Sequence, residues 1–395
     1  MNKTVLYIGG FELPDKNAAA NRVVSNAYIF RKLGYEVLFF GVNKNIEYKK
    51  DFQLITKEFE GFVYYENGYP NSFFEWYHYM TSINMILKII NLISDISIVI
   101  CYNYQAIAYN RVRKYCQRNK ITIIADCTEW YGAQSGGVVF NMLKYLDNLI
   151  RLRYVNKKVD KLIVVSSYFK KFYKNKETIV LPPLVRNTHY QDEEEITYNK
   201  PKLIYAGLPF RLGKRIKSKT QMKDRLDLAL RLLHCAHTRG VDFIFDIYGL
   251  SKEQYLEALP TDYEIIKDMG EKVHFLGRIP QTELKGKIRA AHFTILLRNN
   301  NKTSNFGFPS KVAESISLGT PVVTTKTSDL NRYILERQTG YFLNMGDIDA
   351  TKNKLCMILS ELSNIQRMKN ICLESGYFDY KTYILRMDVF LRMEV

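Results

Sequence analysis

The chain has 395 residues, 47% of them apolar and 25% charged. That composition excludes intrinsic disorder and, at roughly 150 residues per domain, predicts two or three folded domains. Lys and Arg number 57 against 40 Asp and Glu, a net charge of +17, which leaves nucleic acid, an anionic membrane surface or a small anionic ligand as partner classes.

Taken in chain order, residues 4–8 form a short β-rich run that ends in Gly9-Gly10. A helical pattern over 21–33 follows, closed by Gly34, and then a strand over 36–41. A strand, a glycine turn, a helix and a second strand open a βαβ unit. Strands over 98–102, 121–125 and 161–165 alternate with helices over 106–118 and 167–174. Such alternation implies a parallel sheet covered on both faces. Residues 187–201 are polar, carry the acidic run Asp192 to Glu195, and read as a linker. The pattern then restarts, with strands over 203–205, 243–248, 273–276, 293–297 and 321–324, and helices over 224–238 and 311–318. An amphipathic helix over 379–393 closes the chain.

Six scattered cysteines without C-x-x-C spacing argue for a reducing compartment and against a disulfide scaffold or zinc site. The first apolar run is too short for a signal peptide, and the longest one, over 83–100, is broken by Lys88 and Asp95. The expected location is cytoplasmic, at most peripheral to a membrane. None of the six histidines fits a triad or a metal site.

Four strands of the second half end at a glycine or before a loop: Gly207, Gly249, Gly277-Arg278 and the turn before Pro321. Ligands of open parallel sheets bind beyond the carboxyl ends of strands, and glycine there lets the backbone approach closely. The sharpest local feature is Asn305-Phe306-Gly307-Phe308-Pro309-Ser310-Lys311-Val312-Ala313-Glu314. Pro309 and Ser310 suit a helix start whose free amides attract phosphate. Glu314, one turn further in, suits the neutral hydroxyl pair of a ribose. The competing reading is a helix start with a surface glutamate.

The run G-F-P-S-K-V-A-E-S-x-x-L-G-T-P-V-V resembles the nucleotide-sugar site of family 4 glycosyltransferases of GT-B fold. The resemblance extends over most of the chain: Gly9-Gly10 to the first βα loop, residues 203–207 and Lys223-Asp224-Arg225-Leu226 to the elements that bring phosphate-binding cations, VHFLGRIP over 273–280 to the loop near the donor base, and YFDYKTY over 377–383 to the final segment. The combination of D-C-T-E-W-Y-G with F-P-S-K-V-A-E-S is similar to the capsular and surface-polysaccharide branch.

The resemblance implies an α/β chain of GT-B type. Two Rossmann-like domains would face across a cleft, an acceptor domain over 1–190 and a donor domain over 200–376, with a helix over 377–395 crossing back to the first. It implies a retaining transfer from a nucleotide-diphosphate sugar, UDP-sugar in the first instance, with no metal. Expected donor contacts are Gly9, Gly10, Gly207, Arg211, Lys214, Gly277, Arg278, Phe308, Pro309, Ser310, Lys311 and Glu314. Two departures matter. The family's second glutamate falls on Phe306, where Arg298 or Asn305 could substitute. The arginine expected after Gly207 is Leu208, so the phosphate cation comes from Arg211, Lys214 or Lys223, with Lys223 the first choice.

Many relatives carry a histidine after the strand over 121–125. This chain offers carboxylates there, Glu129 and Asp126, against the reading that Asp126 caps a turn and Trp130 is core. The acidic pairs around Asp192 and Asp347 read as solvated loops.

The charge excess also has two local seats. Ten basic residues face two acidic ones between Lys144 and Lys176, and seven face Asp224 between Arg211 and Arg225. The second run reads as a diphosphate clamp. The first overlaps an amphipathic stretch over 138–172, which suits an anionic membrane and a lipid-linked glycan acceptor. No recognition motif supports nucleic acid. Alternatives are a sugar-nucleotide epimerase or hydrolase, and a non-catalytic nucleotide-sugar-binding subunit.

Overall fold

The computed structural model describes residues 3–14, 16–93, 95–130, 138–186 and 200–393, with backbone only for 138–140. The acidic run Asp192 to Glu195, and Tyr131 and Gly132 of the D-C-T-E-W-Y-G motif, lie outside the described residues. The chain divides into two compact units. One comprises residues 1–186, 306–308 and 379–395, the other 187–305 and 309–378.

The first unit holds strands β1 (Thr4–Gly9), β2 (Glu36–Asn43), β3 (Lys57–Phe59), β4 (Phe62–Gly68), β5 (Ile96–Tyr102), β6 (Thr122–Cys127), β7 (Lys161–Val164) and β8 (Thr178–Val180). Its helices are α1 (Ala18–Lys32), α2 (Phe73–Thr81), α3 (Asn84–Leu92), α4 (Ala106–Arg118), α5 (Val138–Ile150) and α6 (Ser167–Phe172). The sheet order is β3-β4-β2-β1-β5-β6-β7-β8, all parallel except the β3–β4 hairpin. Apolar runs such as Val5 to Ile8 and Ile98 to Cys101 are buried along their length, as a sheet covered on both faces requires. Local chemistry sets the helix starts: Asn17 caps α1 by accepting from the Ala20 amide at 2.9 Å, and Ser72 and Glu75 form a capping box on α2. The hairpin turns on Glu60 and Gly61, both at positive φ, the geometry of a two-residue primed turn.

The C-terminal segment belongs to this unit. Asp379 bridges to Val185, a short 3₁₀ turn follows, and helix α15 (Ile384–Arg392) sends Met387 and Phe390 into the core beside Val23 and Ala27. Lys161, at the start of β7 and buried, donates to the carbonyls of Phe390 (2.6 Å) and Leu391 (3.4 Å) and to that of Met393. A cation on the last carbonyls of a helix satisfies orphan acceptors and complements the helix dipole.

The second unit holds β9 (Lys202–Ala206), β10 (Ile244–Tyr248), β11 (Val273–Gly277), β12 (Phe293–Leu296), β13 (Val322–Thr325) and β14 (Gly340–Leu343). Its helices are α7 (Leu226–Thr238), α8 (Lys252–Ala258), α9 (Tyr263–Met269), α10 (Gln281–Ala290), α11 (Lys302–Phe306), α12 (Ser310–Ser317), α13 (Ile348–Ser360) and α14 (Ile365–Glu374). The order is β11-β10-β9-β12-β13-β14, all parallel. Both sheets therefore reverse direction of growth beside their first strand, between β1 and β5 and between β9 and β12. Such a topological switch point opens the crevice where ligands of this architecture bind.

Packing places two residues of the 305–314 motif. Residue 306, where the resemblance put a second glutamate, stands among aromatic rings. The Phe306 ring lies 4.7 Å from Trp130 and 4.9 Å from Phe169, and its carbonyl accepts from Ser166 Oγ at 2.7 Å. Phe308, an expected donor contact, is partly buried and packs against the same apolar cluster of the first unit.

Lys161→Ala leaves the carbonyls at the end of α15 without their cation. A loss of about 2–3 kcal/mol is expected from hydrogen bonds to a charged group, read by chemical denaturation. Limited proteolysis should cut first within residues 379–393.

Candidate functional site

The carboxyl edge of the second sheet gathers most of the expected donor contacts around one carboxylate. Asp224 lies two residues before α7, with a fully buried side chain. Arg298, just past β12, donates from Nε to Asp224 Oδ1 at 2.8 Å. Lys311, the second residue of α12, donates from Nζ to Asp224 Oδ2 at 2.5 Å and to the Tyr205 hydroxyl at 3.0 Å. Tyr205 in turn donates to Asp224 at 2.9 Å. The Arg298 backbone is held too. Its amide donates to Thr325 Oγ1, and that hydroxyl donates back to the Arg298 carbonyl, at 2.9 and 2.8 Å. These elements come from β9, β12, β13 and α12, which the switch point brings together.

The electrostatics are unbalanced by design of the sequence. Burial pushes the Asp224 carboxyl up, but the Lys311 and Arg298 cations outweigh it and hold the group well below the ordinary aspartate range. Burial draws the Lys311 ammonium down, against the pull of Asp224. One carboxylate faces two cations, and the exposed Lys223 adds its charge beside them. Arg225 is not part of the surplus: Asp227 holds it through two 2.8 Å contacts and Asn299 through a third. The remaining surplus is positive, partly solvent-accessible (Lys311 is 22% exposed) and fixed in place. That is the chemistry of an anion site.

Backbone geometry shapes the same place. Gly207 follows β9 at φ +133°, and a Cβ there would sit 2.4 Å from Lys311 Cε and Nζ, so only glycine lets the lysine cross. Gly249, after β10 at φ +114°, leaves room for the Gly207 carbonyl, which a Cβ would strike at 2.5 Å. Helix α12 starts at Ser310, with Pro309 in the capping position and no side-chain cap. The amides of Ser310 and Lys311 have no partner among the described residues, whereas that of Val312 bonds the Pro309 carbonyl. An uncapped helix start beside a surplus of cations reinforces anion binding. One turn on, Glu314 is half-buried with no ion-pair or hydrogen-bond partner among the described residues. Burial raises its carboxyl above the ordinary glutamate range, despite the cations of Lys285 and Lys311.

The other expected contacts are placed less tightly. Arg211 and Lys214 stand exposed in the loop between β9 and α7, and Arg278 stands exposed after Gly277 at the end of β11. Helix α7 begins at Leu226, so Lys223 stands in the loop three residues before it. Arg298 is not free to replace the missing glutamate's contact to the donor sugar, because Asp224 holds its guanidinium and leaves it 9% exposed.

In the first unit, Gly9 packs where a Cβ would meet Tyr102 Cβ and carbonyl at 2.8 Å, so it seals the β1–β5 contact, while Gly10 is exposed. Asp126 requires correction. It is not in a loop after the strand but inside β6, 1% exposed. Arg22 binds it through Nε (3.0 Å) and Nη2 (2.8 Å), and the Tyr7 hydroxyl and Asn26 Nδ2 complete the shell. A carboxylate so enclosed holds β1, α1 and β6 together and has no lone pair free for an acceptor. Glu129, two residues beyond β6, is half-exposed and has no partner among the described residues. No group of three His, Cys, Asp or Glu suited to a metal occurs among the described residues.

The family profile described as glycosyl transferases group 1 matches residues 216–361, which lie in the second unit and include Asp224, Arg298, Lys311 and Glu314. No curated protein matches the sequence. Among solved structures, sucrose-phosphate synthase from Thermosynechococcus elongatus superposes with a TM-score of 0.66 at 15% identity, covering 99% of this chain and 98% of that one. The pneumococcal O-GlcNAc transferase GtfA, solved with UDP and GlcNAc, gives 0.63 at 12% identity, over 99% and 100% of the two chains. Anabaena HepE, solved with UDP, gives 0.60 at 11% identity, over 98% and 99%. The fold is GT-B.

Asp224→Ala should destabilise the second unit by about 3–5 kcal/mol, the cost of leaving buried cations unpaired. Because the carboxyl is depressed, its contribution is present above the ordinary aspartate pKa and is lost only as pH falls through the lower native value. Denaturation from pH 7 down to about 4 should therefore show an undiminished gap between wild type and variant.

Proposed function

We propose that the protein is a retaining, metal-independent glycosyltransferase of hexosyl type. In this reading it moves a sugar from a nucleotide diphosphate, UDP-sugar in the first instance, to a growing lipid-linked surface or capsular glycan. The observation that carries the reading is the pairing of a fixed cation surplus at Asp224, Arg298 and Lys311 with an unpartnered carboxylate, Glu314, one helical turn away. A nucleoside diphosphate offers these two chemistries at that spacing. Its phosphates want cations and amides, and its ribose hydroxyls want an acceptor. The UDP bound to HepE and GtfA supports uridine as the base to test first.

The roles follow from charge. Breaking the glycosidic phosphate bond places negative charge on the leaving diphosphate, and groups already fixed where that charge develops lower the barrier without reorganising. Lys311, Arg298, Lys223 and the Ser310 and Lys311 amides fill this role, with Arg211, Lys214 and Arg278 as outer cations. These protein cations take the part a metal plays elsewhere. Glu314 accepts from the ribose hydroxyls, and Gly207 and Gly277 give the backbone clearance. Glu129 is the acceptor-side carboxylate, since Asp126 is committed to Arg22. A second reading, a nucleotide-sugar-binding subunit without turnover, is favoured by one observation: Phe306 stands where a donor-sugar glutamate is expected and is packed among aromatic rings. Incubation of purified protein with UDP-sugars separates the two readings. Release of UDP with sugar on an acceptor supports transfer, UDP binding without release supports the subunit, and no binding of any nucleotide rejects both.

Glu314→Ala should weaken UDP binding by about 1.5–3 kcal/mol, roughly 10- to 150-fold in Kd, the range for hydrogen bonds to a charged group. Its raised carboxyl loses the hydroxyl-accepting form as pH falls, so calorimetric affinity should decline at a pH where exposed glutamates remain ionised. Unchanged affinity in the variant would move the ribose contact elsewhere. Lys223→Ala should leave Kd for UDP within a few-fold and cost about 2–4 kcal/mol of barrier, read as kcat. An unchanged kcat would transfer that role to Arg211 or Lys214.

A further inference from the structure

We propose that Phe306 is a positioning residue for the nucleotide site. It moors the chain just before α12 in an aromatic pocket, and so fixes the helix start whose amides meet the diphosphate. Chain continuity carries the inference. Residues 306–308 belong to the first unit, whereas Asn305 before them and Pro309 after them belong to the second. The segment is a short strap, and α12 begins at Ser310, two positions beyond its end.

The strap is held along its length. The Phe306 ring meets those of Trp130, Phe169, Phe172 and Tyr168 at centroid distances of 4.7, 4.9, 6.1 and 6.1 Å. Its contacts with Phe169 and Phe172 are edge-on, an arrangement that ring quadrupoles favour. The buried Ser166 hydroxyl donates to the Phe306 carbonyl at 2.7 Å, and Phe308 packs on the same cluster. The residue before the strap is fixed as well. Asn305 Oδ1 accepts from the Ser328 amide at 3.0 Å, and its Nδ2 donates to Asn300 Oδ1 at 2.7 Å. The residue after it, Pro309, is buried and has a restricted φ.

What the strap holds in place is the anion-binding end of α12. Ser310 is exposed, and the helix start has no side-chain cap. Its first turn therefore takes its position from the chain that enters it. Two residues of chain span about 7 Å at full extension, so a moored Phe308 leaves Ser310 little range. A released strap gains backbone freedom, and a bound phosphate has to remove that freedom again. Order supplied before binding appears as affinity. The same mooring sets the Trp130 ring against the strap, so Trp130 emission reports the strap's state. The inference rests on the nucleotide reading of α12, and holds whether or not the bound donor is turned over.

The chain has two tryptophans, so Trp76→Phe leaves Trp130 as the single one and serves as parent for the test. Its emission is expected to change along a saturating curve as UDP is added, with the Kd that calorimetry gives. Phe306→Ala in this background should lose the emission change and weaken UDP binding about tenfold. Phe306→Leu keeps an apolar side chain in the pocket and should bind UDP within about twofold of the parent. A side chain that served folding alone would lower the melting temperature and leave UDP affinity and UDP-dependent emission unchanged. Should Phe306→Ala fail to fold, Ser166→Ala removes one hydrogen bond from the strap and should weaken UDP binding about fivefold. Calorimetric UDP binding with a silent Trp130, or with the strap variant as tight as the parent, overturns the proposal and leaves the nucleotide reading standing. Absence of UDP binding by the parent rejects the nucleotide reading, and the proposal with it.

Discussion

The second unit is organised by the burial of one carboxylate between two cations. Placing Asp224 out of water costs several kcal/mol unless its oxygens are met by charge and hydrogen bonds, and Arg298, Lys311 and Tyr205 meet them. Those three come from different strands and a helix, so satisfying one carboxylate fixes the spacing of β9, β12 and α12 at their carboxyl edge. The arrangement also leaves a cation in surplus. A site that must attract phosphate needs positive charge that cannot collapse onto the phosphate's neighbours or drift into solvent, and an internal carboxylate anchors that charge before any ligand arrives. Preorganisation of this kind is what makes an electrostatic site catalytic rather than merely adhesive.

The first unit contains the contrasting case. Arg22 and Asp126 pair one to one, Tyr7 and Asn26 fill the remaining valences, and Arg22 donates onward to the Leu181 carbonyl at 3.1 Å. The charges cancel and nothing is left over for a ligand. Both clusters are buried ion pairs at the edge of a parallel sheet, so burial alone does not distinguish a structural pair from a binding site. Stoichiometry does, together with access: the side chain of Arg22 is 5% exposed and that of Lys311 22%.

This distinction explains what could be read in the sequence. The strand-to-glycine alternation and the helix over 106–118 are visible because burial on both faces and 3.6-residue periodicity leave direct marks. The start of α12 and the place of Glu314 follow from local signals, a proline, a serine and one helical turn. The hairpin of β3 and β4 is hidden because Glu60-Gly61 is not among the usual primed-turn pairs. Asp126 reads as a loop carboxylate since its partner, Arg22, is more than a hundred positions away. Asp224 is the largest omission. Seven cations around one carboxylate look like a clamp with an incidental acid, whereas the acid is the anchor and Arg298, which it holds, lies outside the run. Phe306 likewise takes its meaning from Trp130 and Phe169, which no local pattern connects to it.

The net charge of +17 then divides by environment. Cations around Asp224 are partly withdrawn from solvent, where ions screen them weakly. Those on α4 and beyond α5 are exposed, and at physiological ionic strength their fields fade over about 8 Å. The first group must act at contact distance on a ligand already bound. The second acts over a broad surface where many weak, screened attractions add together. A chain that served a phosphate polymer would need its exposed cations aligned along one groove. Here the exposed set is interspersed with the exposed apolar side chains of Ile150 and Tyr154 instead, which gain nothing from a sugar-phosphate backbone.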